Sequence, residues 1–310
     1  MTATDDRSLV VTDVCVNFAG IRALDGISFT AQSGQVHCVL GPNGAGKSTL
    51  FNIISGFYTA TSGDVCYGGR SLRGMRAHRI ARMGVARTFQ NLELSGAESV
   101  LDNIQLGCYQ DESPGVLRTC VGWPSSRRSE RASRQRASEM AGLVGLTSVL
   151  SRPCGRLPYG VQKRVEIARA LAARPGLLLL DEPVAGMTSD EVDAMAAVIR
   201  EVHDATGVTV LLIEHDVDFA LGLADEVTVL DFGKIIAGGT PREIRAHPAF
   251  IAAYLGTGPG EPVLAEPSVP EPTESEPTCS SLATSSTARL SGCLSASSQW
   301  GSFSFTARRT

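Results

Sequence analysis

Residues 41–49 read Gly-Pro-Asn-Gly-Ala-Gly-Lys-Ser-Thr. Gly41, four residues, then Gly46, Lys47 and Ser48 is the spacing of a phosphate-binding loop. The glycines let successive backbone N–H groups turn inward around a phosphate, and the helix that follows adds positive potential at its N-terminus. Lys47 reaches the β- and γ-phosphates, and Ser48 offers its hydroxyl to magnesium. Only three lysines occur in the chain, so a chance match at this composition is on the order of one in a few hundred. Such a loop needs an acidic partner, which Leu177-Leu-Leu-Leu-Asp181-Glu182-Pro183 provides at the end of an apolar run. Asp181 would hold magnesium through water, and Glu182 would face the place of an attacking water. Two acids after a strand, taken alone, more often open a helix; together with Lys47 they make a nucleotide-hydrolysis site. His215, in Leu211-Leu-Ile-Glu-His-Asp216, could donate to a γ-phosphate, although a lone histidine is usually structural.

The elements that must position these groups are legible around them. Val36 to Leu40 is a short apolar strand that enters the loop, and a helix from Lys47 to Ser55 leaves it, stopped by Gly56. Leu177 to Leu180 and Val208 to Ile213 are wholly apolar runs separated by a helical stretch from Asp190 to Ala205, the pattern of strands buried on both faces of a parallel sheet. Ligands bind at the C-terminal ends of such strands, where Gly41, Asp181 and His215 fall. Nearer the N-terminus, Val10, Val14, Val16 and Phe18 alternate with polar residues, and Ala23 to Thr30 forms a second run, which predicts two strands. Val227 to Leu230 and Lys234 to Ala237 flank Asp231-Phe232-Gly233 as a closing hairpin. Between Asn91 and Leu157 the chain reads helical and polar; its arginines, Arg118, Arg127, Arg128, Arg131, Arg134 and Arg136, predict a solvated helix face, with anionic lipid headgroups as the sharper alternative. After Leu255 the composition turns to Ser, Thr, Pro, Glu and Gly, which predicts disorder.

Composition narrows the function classes. The 310 residues are 43% hydrophobic and 19% charged, enough for a proper core. A net charge of -4 gives no global basic field, so no nucleic-acid partner is expected. No apolar run approaches the eighteen or more residues of a membrane span. Asp5 and Asp6 precede any apolar stretch, which is wrong for a secretory signal, so the chain is expected to stay in the cytosol. The eight cysteines lack metal-ligand spacing and are expected as reduced, packed thiols.

In their order and spacing these motifs resemble the ATPase subunits of ATP-binding cassette transporters, over about residues 8 to 255. The likeness rests on Phe18 at the position of the adenine-stacking aromatic, the phosphate loop, Gln90 in Arg87-Thr-Phe-Gln90, the signature region Leu157-Pro-Tyr-Gly-Val-Gln162, the Asp181-Glu182 pair and His215. The resemblance implies an α/β fold: a P-loop NTPase (RecA-like) core with an N-terminal antiparallel β subdomain and an inserted α-helical subdomain. It implies core residues 1–90, a helical subdomain with the signature at 91–160, the second part of the core at 161–256, and a tail at 257–310. ATP and Mg2+ are the implied cofactors. Phe18, Gly41, Asn43, Gly44, Ala45, Gly46, Lys47, Ser48 and Thr49 would bind ATP, joined by Gly160 from a second subunit. Ser48, Gln90 and Asp181 would hold Mg2+, with Glu182, His215 and Gln90 as the catalytic group. The implied partners are a second ATPase subunit, transmembrane permease subunits and, indirectly, an extracytoplasmic solute-binding protein. The implied place is the cytoplasmic face of the plasma (inner) membrane.

Within the family, Ala86-Arg-Thr-Phe-Gln-Asn91, the long helical insert, Tyr159, Val165-Glu-Ile-Ala-Arg-Ala-Leu171, Glu182-Pro-Val-Ala-Gly-Met187 and the ending Gly239-Thr-Pro through Ala253-Tyr-Leu-Gly256 are similar to the branched-chain amino acid importers. Urea importers and a lipopolysaccharide-export ATPase share much of the pattern; the long insert argues against the exporter. A translation or repair ATPase would bring a second cassette or a long coiled coil, and the chain has neither. Three positions depart from the family. Pro158 and Val161 replace the usual signature serine and glutamine, and Thr188 replaces an aspartate. Pro158 is expected in the first turn of a helix from Gly160 to Ala173. The lost hydroxyl suggests unequal ATP sites and therefore a heterodimer.

Overall fold

Strands covered on both faces can afford no polar side, and this chain supplies such strands. In the computed structural model, Val36–Leu40 (β3) and Leu177–Asp181 (β7) are buried at every residue. The structure describes residues 7–18, 20–88, 93–110 and 124–254. These belong to the first of two units, residues 1–261; the second, 262–310, lies outside the described residues, as does the tail predicted from residue 257.

Two sheets are present. Leu9–Phe18 (β1), Ile21–Ala31 (β2), Ser62–Tyr67 (β4) and Arg70–Ser71 (β5) form an antiparallel sheet in the order β2-β1-β4-β5. The second sheet has the order β10-β9-β3-β8-β7-β6, with β6 at Val85–Arg87, β8 at Thr209–Glu214, β9 at Glu226–Asp231 and β10 at Lys234–Gly239. Its strands are parallel except for β10, which closes on β9 as the predicted hairpin. The registers Leu40↔Glu214 and Asp181↔Ile213 bring the C-terminal ends of β3, β8 and β7 side by side.

Side chains on a strand alternate between faces, and the core divides accordingly. Cys38, Leu40, Leu178, Leu180, Val210 and Leu212 join one hydrophobic cluster, and Val39, Leu177, Leu179, Leu211 and Ile213 join another. The second cluster takes in Lys47–Ile54 (α1), Ile80 of Ala77–Arg82 (α2) and the antiparallel sheet. The first takes in Val100–Gln105 (α3), Pro124–Leu143 (α4), Tyr159–Ala172 (α5), Ser189–Thr206 (α6), Val217–Leu223 (α7), Pro241–Ala246 (α8) and Pro248–Tyr254 (α9). Helix α6 shows how sequence sets this packing: Met195, Val198, Ile199 and Val202 recur at helical spacing and are its buried residues, and Gly207 ends it in the left-handed region at φ 64°.

Helices α3 and α4, within the polar insert predicted between Asn91 and Leu157, pack on each other and on α5. On α4, Arg131 and Arg134 are exposed, as expected of a solvated face. Among the described residues, no helix is long and apolar enough to cross a membrane, and Cys15, Cys38, Cys66, Cys108 and Cys154 are free thiols.

Candidate nucleotide site

The site grows from the end of β3. Gly46 caps α1 with φ 101°, a conformation that a side chain disfavours, and a Cβ there would lie 2.6 Å from Leu24 Cδ2 and 2.7 Å from the Ala23 carbonyl oxygen. Glycine is therefore required twice at this position, once by φ and once by the close approach of β2. Lys47, the first residue of α1, is 5% exposed, and its ammonium donates to the carbonyls of Gly41 and, at 3.1 Å, Pro42. Burial pulls the Lys47 pKa below the ordinary lysine range, against the opposing fields of Glu182, Glu214 and Asp181. Three acids thus surround one buried cation. Ser48 is exposed next to it, and a cleft of about 180 Å³ covers the loop, lined by Ala23, residues 42–49 and Glu182.

Asp181 and Glu182 sit where β7 ends. Asp181 is 5% exposed, and its Oδ2 accepts from Arg87 Nη2 at 2.8 Å. Glu182 has φ 46°, a region costly for a residue with a Cβ, and its N–H donates to the Ile213 carbonyl at 3.1 Å. That turn aims the carboxylate at the phosphate-loop cleft instead of into a helix. His215 follows β8, with Nδ1 3.9 Å from Glu182 Oε1 and 3.8 Å from Glu214 Oε2. The motif histidine is therefore not a solitary core residue; it stands beside both carboxylates.

Glu214 was not singled out by sequence. It is fully buried, accepting from the N–H of Val184 at 3.4 Å and of His215 at 3.2 Å, and burial pushes its pKa up to about 7. It clasps the turn after Glu182 to the segment carrying His215. Tyr58 was missed as well. Phe18, 43% exposed, meets it edge to face at 5.3 Å, so the predicted stacking aromatic is one of a pair.

Lys47, Ser48 and Glu182 line the cleft, Asp181 ends β7 next to Glu182, and His215 stands 3.9 Å from Glu182. Gln90 lies outside the described residues. Gly160 does not line this cleft; it is buried in the first turn of α5, where a Cβ would lie 3.2 Å from Glu191 Oε1. Pro158 corrects an expectation. It precedes the helix as its N-cap, with φ −54° and ψ 151°, and α5 runs from Tyr159 to Ala172. The fixed φ of proline suits an extended residue as well as a helical one, and the Pro158 carbonyl accepts from Val161 and Gln162. Thr188, in place of the family aspartate, caps α6, with its N–H and hydroxyl both donating to Glu191.

A larger cavity of about 410 Å³ lies at the other end of the parallel strands, beside Gly84 and Arg174. The C-termini of α2 and α5 end there, and Arg82 and Arg174 offset their negative dipoles. It has neither the glycine loop nor the acids.

Hard oxygen donors suit magnesium, and the Ser48 hydroxyl and Asp181 carboxylate are of that kind. Among the described residues, no group of three or more His, Cys, Asp or Glu could hold a metal.

A family model described as "ABC transporter" matches residues 24–185, and one described as "Branched-chain amino acid ATP-binding cassette transporter" matches residues 234–259. The chain is 39% identical over 248 residues to the high-affinity branched-chain amino acid transport ATP-binding protein BraF of Pseudomonas aeruginosa, covering 80% of this chain and 97% of that protein. It is 36% identical over 248 residues to LivG of Escherichia coli, named in the same terms, with the same coverage of 80% and 97%. Among solved structures, a nucleotide-free ATP-binding cassette from an ABC transporter aligns with TM-score 0.70 at 30% identity, covering 81% of this chain and 100% of the other. The ADP conformation of the cassette MJ1267 aligns with TM-score 0.69 at 30% identity, covering 81% and 99%.

Proposed function

The chain belongs to the ATP-binding cassette (ABC) transporter family as an ATP-hydrolysing subunit, and we propose that it energises an importer of branched-chain amino acids. The observation that supports hydrolysis at this site is the convergence of Lys47, Glu182 and His215 on the phosphate-loop cleft. The cargo rests on the match at residues 234–259 and on the relatives BraF and LivG. An ATPase subunit does not touch the cargo, so the importer's permease and solute-binding protein select it.

Backbone N–H groups of residues 43–49 cradle the phosphates, and the Lys47 ammonium exchanges the Gly41 and Pro42 carbonyls for β- and γ-phosphate oxygens. Phe18 stacks on the adenine. Ser48, Gln90 and Asp181 hold Mg2+, which when bound neutralises charge developing on the phosphates. Glu182 orients the attacking water and accepts its proton at a carboxylate oxygen, while His215 donates to the γ-phosphate. The products are ADP and phosphate.

A second subunit supplies its signature helix to this ATP, and Gly160 of this chain faces the second subunit's ATP. Because Pro158 lacks the usual hydroxyl, the second subunit is a different ATPase with its own signature. The helical part, 91–160, docks on permease subunits at the cytoplasmic face of the membrane, between core parts 1–90 and 161–256.

Glu182→Gln tests the assignment. Hydrolysis should fall ~10²–10⁴-fold, the usual contribution of a general base, with ATP affinity retained. Lys47→Ala should instead weaken ATP binding itself. Affinity and turnover measured on both variants separate the roles, and a Glu182→Gln protein turning over at the wild-type rate would remove Glu182 from catalysis.

A further inference from the structure

Arg87 ends the edge strand β6, three residues before Gln90, and its guanidinium is shared between two elements of the site. Nη2 donates to Asp181 Oδ2 at 2.8 Å, and Nη1 donates to Asn52 Oδ1 at 2.8 Å, on the helix that leaves the phosphate loop, and at 2.9 Å to Oγ of Ser55, that helix's C-cap. Its cation also lies 5.5 Å from the centre of the Phe51 ring. The Arg87 and Asp181 side chains are 9% and 6% exposed, so water screens their pairing little. A planar guanidinium held at three oxygens and over a ring has little rotational freedom, and the carboxylate bonded to it inherits that order.

We propose that Arg87 is a positioning residue of the magnesium–nucleotide site: it fixes the Asp181 carboxylate through Oδ2, leaves Oδ1 for the metal, and ties both to α1 and to the segment leading to Gln90. The proposal rests on the reading of Asp181 as a magnesium ligand. Orientation competes here with charge, because a cation beside a metal ligand also repels the metal. Positioning outweighs repulsion: a freed Asp181 would have to be ordered anew for each ion, whereas the guanidinium charge is already shared with Asn52, Ser55 and the Phe51 ring.

The test is the ratio of ADP affinity with Mn2+ to that in EDTA, measured on the full chain, with Mn2+ as the probe ion. Arg87→Met should lower this ratio about 10- to 100-fold, the usual cost of losing a partner that orients a metal ligand. Affinity in EDTA should change much less, and Arg87→Lys should restore part of the loss. Asp181→Asn should remove the metal dependence alone, and adding Arg87→Met to it should have little further effect, since the two act as a unit. Should Arg87→Met fail to fold, Asn52→Ala removes one anchor of the guanidinium and should produce a smaller loss of the same kind. An Asp181→Asn protein with full Mn2+ dependence would sink the underlying metal assignment. With Asp181→Asn effective, the positioning role is overturned by an unchanged or raised ratio in Arg87→Met, or in Asn52→Ala where that variant stands in. It is equally overturned by a parallel loss of affinity in EDTA.

Discussion

Glu214 is a carboxylate in an environment that its type does not prefer. It is fully buried, with its pKa raised from 4.5 to about 7 chiefly by burial, although the N–H groups of Val184, His215 and Asp216 pull it down. Between those pH values the folded chain keeps a proton that the unfolded chain has lost, so this group's contribution to stability falls as pH rises through the window and stays low above it. His37 acts in the opposite sense: burial lowers its pKa to about 4, so stability falls as pH drops below the ordinary histidine value of 6.5. Glu214→Gln removes only the first effect. Wild type should therefore lose stability relative to the variant between about pH 5 and pH 8, by on the order of a few kcal/mol. Melting temperatures of both proteins across that range check it, and a constant difference would show that Glu214 does not titrate there. The placement of Lys47 and Glu182 at one cleft was legible in sequence because residue type and local spacing carry it. That of Glu214 and Arg87 was not: Val184 is 30 residues from Glu214, and Asp181 is 94 residues from Arg87.

At the scale of elements, β3, β7 and β8 were legible because burial on both faces leaves a nearly unbroken apolar run. Other elements lacked such a signal. Strand β6 has three residues and β5 has two, too few for any period to register, yet β6 carries Arg87 to the site. The start of α5 was displaced because proline's φ fits both the first helical turn and the residue before it. Close approach of two elements leaves a single residue as its mark. Gly107, just after α3, lies against α5, and a Cβ there would overlap the Arg169 carbonyl and approach Ala172 Cβ to 3.1 Å. Backbone cannot yield as a side-chain tip can, so Gly107→Ala should cost about 1–3 kcal/mol. Thermal melting should fall by several degrees, with ATP affinity nearly unchanged because the residue is remote from the phosphate loop. An unaltered melting temperature would mean that α3 and α5 can separate without loss.

Among the described residues, the phosphate loop opens onto a single cleft. Residues 42–49, Ala23 and Glu182 line it, and no residue of the Pro158–Gln162 turn does. The first-turn N–H groups of α5 are aimed along a helix dipole that favours an anion, and the proposed reading assigns them to the second subunit's ATP. On the proposed pairing with a second ATPase subunit, each chain would bind ATP with its loop and complete the other's site with its signature turn. Photolabelling of the assembled transporter with an azido-ATP analogue can separate these contributions, because the label marks the chain whose loop holds the nucleotide. Lys47→Ala should erase the label on this chain and leave it on the second subunit. Gly160→Asp should do the reverse, since a carboxylate in the signature turn repels the second subunit's γ-phosphate; it would also lie against Glu191 of its own chain. Pro158→Ala should spare both labels, because the backbone N–H groups of the turn remain. Loss of this chain's own label in Gly160→Asp would show that the signature turn folds back on its own nucleotide, and the second subunit would then be unnecessary for closing the site.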